Sequence, residues 1–118
     1  MYGPANLLTL ATSMPASWAG TIAAMFGDPA DPRDNEELRR RSPVTYAARI
    51  KAPLLVIQGA NDPRTPRAES DQIIAAARAN GADPYLLFGD EGHGFTSRDN
   101  DIKANIEITS FLTKHLLD

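Results

Sequence analysis

The sequence predicts an α/β fold organised on a parallel strand-helix-strand unit, and three observations predict it. Two unbroken apolar runs of strand length, Pro53-Leu54-Leu55-Val56-Ile57-Gln58 and Pro84-Tyr85-Leu86-Leu87-Phe88, each end at a glycine. Runs of this kind suit strands covered on both faces, as in parallel sheets. The stretch between them has the length and pattern of a crossover helix, and joining strands in this way makes them parallel. Beyond the second run, a segment from about Asp99 to Leu117 places Ile102, Ile106, Thr109, Leu112 and Leu116 on one helical stripe. That stripe predicts a surface helix packed on the sheet.

The individual elements follow from local chemistry. The crossover helix is expected over about 66–80, with Thr65 as N-cap, Pro66 at the first position, Ile73, Ile74 and Ala77 on the apolar face, and Asn80-Gly81 as the stop. Upstream, residues 1–49 read as a helical and loop segment preceding a βαβα unit over 50–118. Trp18, Ile22, Met25 and Phe26 fall at helical spacing after Pro15, which predicts a short helix over about 17–26. Two Asp-Pro pairs then suit turns. Asp34 is expected to cap a helix through about Arg41, which Ser42-Pro43 ends, because a residue before proline is pushed out of the α region. Trp18, Met25 and Phe26 read as core or pocket-wall residues.

Composition narrows the function classes. A chain of 118 residues with 42% hydrophobic side chains can bury an ordinary core. Charged residues make up 23% and the net charge is −3, so no basic face is available for nucleic acid. Arg39-Arg40-Arg41 follows Glu36 and Glu37 and reads as a solvated helix end. Cysteine is absent, which removes disulfides, thiol catalysis and thiolate metal sites. No apolar stretch is long enough to span a membrane and the start has no signal-peptide pattern, so with Met1 as the native start the expectation is a cytoplasmic chain.

Two polar, glycine-flanked segments follow the two strands: Gly59-Ala60-Asn61-Asp62-Pro63-Arg64-Thr65-Pro66 and Asp90-Glu91-Gly92-His93-Gly94-Phe95. Parallel strands put both at one carboxyl edge, where open α/β sheets hold their active sites, so Asp62 and His93 can meet. An Asp and a His on neighbouring loops suit acyl transfer, the carboxylate orienting an imidazole that takes a proton from serine. The bland alternatives are an Asx turn at Asp62, a structural imidazole at His93, and an oxygen-rich metal site drawn from Asp62, Asp90, Glu91 and His93. Asp90 and Glu91 are expected to order their loop, Arg64 to hold the acid loop, and His115 to sit in the last helical turn, where a positive charge suits the dipole.

These segments, with Ser42-Pro43, Tyr46-Ala47 and Glu69-Ser70, resemble the C-terminal end of the catalytic domain in prolyl oligopeptidase family serine peptidases. The resemblance extends over nearly the whole chain. It implies a partial α/β-hydrolase fold, its C-terminal βαβα portion, with Asp62 as the triad acid and His93 as the base. It further implies a serine peptidase acting on peptides or acylated amino acids, without cofactor or metal. No Gly-x-Ser-x-Gly elbow occurs in the sequence. The nucleophile is therefore expected upstream of Met1, and the isolated chain is expected to be inactive. Two rival readings remain: a non-catalytic α/β fragment that oligomerises through an exposed sheet edge, and an esterase or dienelactone-type hydrolase with the same triad roles.

Overall fold

A computed structural model describes residues 3–78 and 85–117 of the chain. In order, the elements are α1 (Leu7–Ser13), α2 (Ala19–Phe26), α3 (Pro32–Arg41), β1 (Val56–Gly59), α4 (Arg67–Arg78), β2 (Tyr85–Phe88) and α5 (Arg98–Leu116). Short 3-10 helices at Ala16–Trp18 and Pro43–Arg49 join them. No helix among the described residues is long and apolar enough to cross a membrane.

Local chemistry explains where the helices begin. Asn6 caps α1, its side-chain oxygen accepting the Leu8 amide. This helix is absent from the sequence expectation, because its apolar residues show no clear period. The segment expected as one helix over 17–26 divides into the 3-10 turn at Ala16–Trp18 and α2. Gly27, at φ 108°, ends α2 in a region where other residues are strained. Asp31, not Asp34, caps α3: its Oδ1 accepts from the amides of Arg33 (2.8 Å) and Asp34 (3.4 Å). Pro32 takes the first helical position, where a missing N–H costs nothing. Asp34 instead reaches back from the first turn to the Asp28 amide at 2.8 Å.

The two strands pair in parallel with Val56 opposite Tyr85, Ile57 opposite Leu86, Gln58 opposite Leu87 and Gly59 opposite Phe88. β1 starts at Val56, later than the expected Pro53, and proline has no amide to give a ladder. α4 begins at Arg67, with the Glu69 amide donating to Pro66 O at 2.8 Å. The expected Asn80-Gly81 stop and Pro84 lie outside the described residues.

The main core is built where α4 packs on the Pro43–Arg49 turn and on β1, and where α1 packs on α2 and α3. Leu10, Ile22, Leu38, Ala47, Ile74 and Ala77 are all buried there. Leu38 is fully enclosed, and burial of a leucine stabilises by about 1.5–3 kcal/mol. Polar ties register the layers. Ser42 Oγ accepts the Leu7 amide and donates to Leu38 O, while the buried Glu69 carboxylate accepts the amides of Ala5 (3.1 Å) and Asn6 (2.7 Å) and the Thr9 hydroxyl.

α5 departs from expectation in its orientation. The stripe Ile102, Ile106, Thr109, Leu112, Leu116 faces outward, and Ala104 is the buried residue of this helix. Along Asp101, Ala104, Asn105 and Ile108, α5 borders a cleft of about 180 Å³ whose other wall includes Ile57, Gln58 and Gly59 of β1.

Candidate active site

Both expected site residues leave the sheet at the same edge. Asp62 follows β1 by three residues and His93 follows β2 by five, and the parallel register sets Gly59 beside Phe88 at the point of departure. Main-chain bonds then lace the two loops together: Ala60 N to Phe88 O at 2.9 Å and Asn61 N to Glu91 O at 2.9 Å. The Asn61 side chain adds a bond to Gly89 O at 3.1 Å. Gly59 is required by this close approach. A Cβ there would stand 2.3 Å from Gly92 O and 2.7 Å from Glu91 O.

The loops bring Asp62 and His93 into contact. His93 Nδ1 lies 2.9 Å from Asp62 Oδ2 and 3.1 Å from Oδ1. The Asp62 side chain is 3% exposed and that of His93 25%, so the carboxylate is enclosed and the ring is partly open to solvent. Asp62 Oδ1 also accepts the amides of Arg64 and Thr65, both at 2.8 Å. The Asx turn and the acid–base contact, rival readings of the sequence, are made by one carboxylate. An ionised carboxylate only accepts, so in a neutral imidazole held this way Nδ1 carries the proton and Nε2 the lone pair. That tautomer is the one a general base requires.

Glu91 orders the base loop, as its sequence position suggests. Its buried carboxylate accepts from Thr96 N (2.8 Å), Thr96 Oγ1 (3.1 Å), Ser97 N (3.0 Å) and Asn100 Nδ2 (2.8 Å). The Thr96 amide first, then the Asn100 side chain, hold its pKa down at about 2. Gly94, at φ 109°, turns the chain after His93, and the Phe95 ring packs on Phe88 at 4.6 Å between centroids. Asp90 is exposed and bonds the Asn100 side chain. With Glu91 so occupied, the four residues of the metal alternative do not converge; among the described residues no three such side chains gather as a metal site.

Other residues take plainer places. Arg64 serves the acid loop through its backbone amide. His115 packs edge-on to Phe111 at 4.7 Å. Trp18 and Met25 are 50% and 66% exposed, which removes them from the core. Sequence reasoning assigned no role to Gln58 or Ser70, yet both are buried and bonded to each other beside the acid loop. A glutamine closing an apolar strand run was the available signal.

Residues 4–118 match the model of the prolyl oligopeptidase family. The chain belongs to that family. It is 45% identical over 120 residues to dipeptidyl aminopeptidase BIII of Pseudoxanthomonas mexicana, covering 98% of this chain and 17% of the relative. Identity is 39% over 121 residues to dipeptidyl peptidase family member 6 of Caenorhabditis elegans, covering 98% and 16%. Among solved structures, an acylaminoacyl peptidase of Pyrococcus horikoshii superposes with a TM-score of 0.83 at 25% identity, over 99% of this chain and 19% of that one. The chain thus spans about one sixth of the length of the curated relatives it matches. Its fold is part of an α/β-hydrolase fold, and its family is one of serine peptidases.

Proposed function

We propose that this chain supplies the acid and the base of a Ser-Asp-His triad, Asp62 and His93, to a serine peptidase whose nucleophile lies outside the 118 residues. The observation that carries the reading is the enclosed Asp62 carboxylate at 2.9 Å from His93 Nδ1. Peptides or acylated amino acids are the proposed substrates, in keeping with the names of the dipeptidyl peptidase and acylaminoacyl peptidase relatives.

In the proposed reaction His93 Nε2 takes the hydroxyl proton of the serine as its oxygen bonds to the scissile carbonyl carbon. Asp62 stabilises the imidazolium that forms. Collapse of the tetrahedral species breaks the C–N bond, and Nε2 returns the proton to the leaving amine. Water then repeats the sequence on the acyl-enzyme. Without a nucleophile or its oxyanion hole the isolated chain is expected to be inactive.

Two measurements test this. A serine-directed fluorophosphonate should leave the purified chain unlabelled; specific labelling of one of its serines would place a nucleophile within it and overturn the proposal. The second measurement uses Asp62→Asn, which keeps an oxygen for the Arg64 and Thr65 amides but turns an NH2 toward Nδ1, favouring the wrong tautomer. In the complete catalytic assembly it should lower kcat by about 10⁴-fold with stability changed by less than about 1 kcal/mol. Retained turnover would remove Asp62 from the triad.

A further inference from the structure

Gln58, the third residue of β1, is buried, and every polar atom of its side chain is engaged. Its Nε2 donates to Gly59 O at 2.8 Å and to Thr65 O at 3.1 Å. These carbonyls stand at the two ends of the loop that carries Asp62. On the other side, Ser70 Oγ of α4 donates to Gln58 Oε1 at 2.6 Å. Only an amide nitrogen can give protons to two carbonyls, so the orientation of the amide is fixed by its partners. A buried amide on an otherwise apolar strand is retained at a cost unless all its bonds are made, and here they converge on a single loop.

We infer that Gln58 is the positioning residue of the acid: its amide clasps both ends of the loop 59–65, with Ser70 holding the amide in place, and so fixes where Asp62 meets His93. The inference rests on the reading of Asp62 as the triad acid. Asp62 Oδ1 bonds the Thr65 amide while Gln58 bonds the Thr65 carbonyl. The amide and the carbonyl of Thr65 are thereby tied, one to the acid and one to the clasp. Release of the Gln58 bonds frees the C-terminal end of the loop and lets the Asp62–His93 contact lengthen.

Gln58→Glu tests this on the full chain. Protonated, the new carboxyl group still donates one bond; ionised, it faces two carbonyl oxygens with no proton to give. Asp62 from the acid loop and Asp101 from α5 line the same cleft, and His93 lies beyond Asp62. Burial and the two carboxylates oppose ionisation, moving it above the ordinary glutamate value of about 4.3. The readout is exchange with water of the His93 Nδ1 proton, followed by NMR and compared with wild type at equal pH. Exchange in Gln58→Glu should match wild type at about pH 5 and be about tenfold faster at about pH 8. A dispersed amide spectrum with exchange equal to wild type throughout would overturn the inference. If the variant loses that dispersion as it ionises, Ser70→Ala decides, since it only frees the amide to rotate: about threefold faster exchange supports the clasp, and none refutes it. Asp62→Asn separates the premise. Should it leave the Nδ1 proton unchanged, the acid–base reading itself fails, whatever Gln58 does.

Discussion

Gly59→Ala concentrates a single methyl group at the seam between the acid and base loops. The added Cβ would lie 2.3 Å from Gly92 O, 2.7 Å from Glu91 O and 2.8 Å from Glu91 C. All three are main-chain atoms, so no rotamer change relieves the clash. Ordinary contact requires Gly92 O to retreat by about 1 Å, and Gly92 precedes His93 directly. Overpacking of this kind costs about 1–3 kcal/mol. The same movement stretches the Asn61–Glu91 bond and the Asp62–His93 contact, both 2.9 Å, each worth about 0.5–1.5 kcal/mol. A loss of about 2–6 kcal/mol in urea unfolding followed by circular dichroism is expected, a large share of an ordinary domain's stability. On the role proposed for His93, a displacement of this size should lower turnover about 10²-fold, read as kcat in the complete assembly. A variant within about 0.5 kcal/mol of wild type, with the His93 Nδ1 proton resonance unmoved, would refute the claim that this glycine sets the distance between the loops.

Glu91 makes stability depend on acid. Its pKa is lowered from 4.5 to about 2, so its contribution is fully present above 4.5 and is lost as pH falls toward 2. Unfolding midpoints measured across that window should fall in wild type, and Glu91→Gln should flatten the slope while lowering stability at neutral pH. Glu69→Ala removes the acceptor of the Ala5 and Asn6 amides and leaves the buried Ala5 N–H unpaired, a cost of about 1–3 kcal/mol. Hydrogen exchange should then accelerate first at Ala5, Asn6 and α1; unchanged protection there would show that the N-terminal segment is held by packing instead.

The strand-helix-strand unit was legible because continuous apolar runs and their glycine ends are dictated by burial on a parallel sheet. The contact of Asp62 with His93 was legible for the same reason, since parallel strands must deliver both loops to one edge. The cap of α3 was misplaced by three residues: Asp31 and Asp34 are chemically equal in sequence, and the choice falls to Asp31 because Pro32 suits the first helical position. The outward turn of the α5 stripe was not legible either. Periodicity states that a helix has an apolar side but not which side meets the chain, and here it is the side of Ala104 that is buried. Gln58 escaped notice because its function is a matter of bond partners seven and twelve residues away.

The parallel pairing also has a consequence for how such a site tolerates change. Gly59 and Phe88 are matched in the ladder at the edge from which both loops spring, whereas the rest of the crossover connection, with α4, follows only after the loop of Asp62. Lengthening or shortening that connection leaves the ladder's rungs, and therefore the spacing of Asp62 and His93, as they were. Insertions in the crossover can accumulate without retuning the chemistry, while a single residue added between Gly59 and Asp62 would shift the carboxylate out of reach.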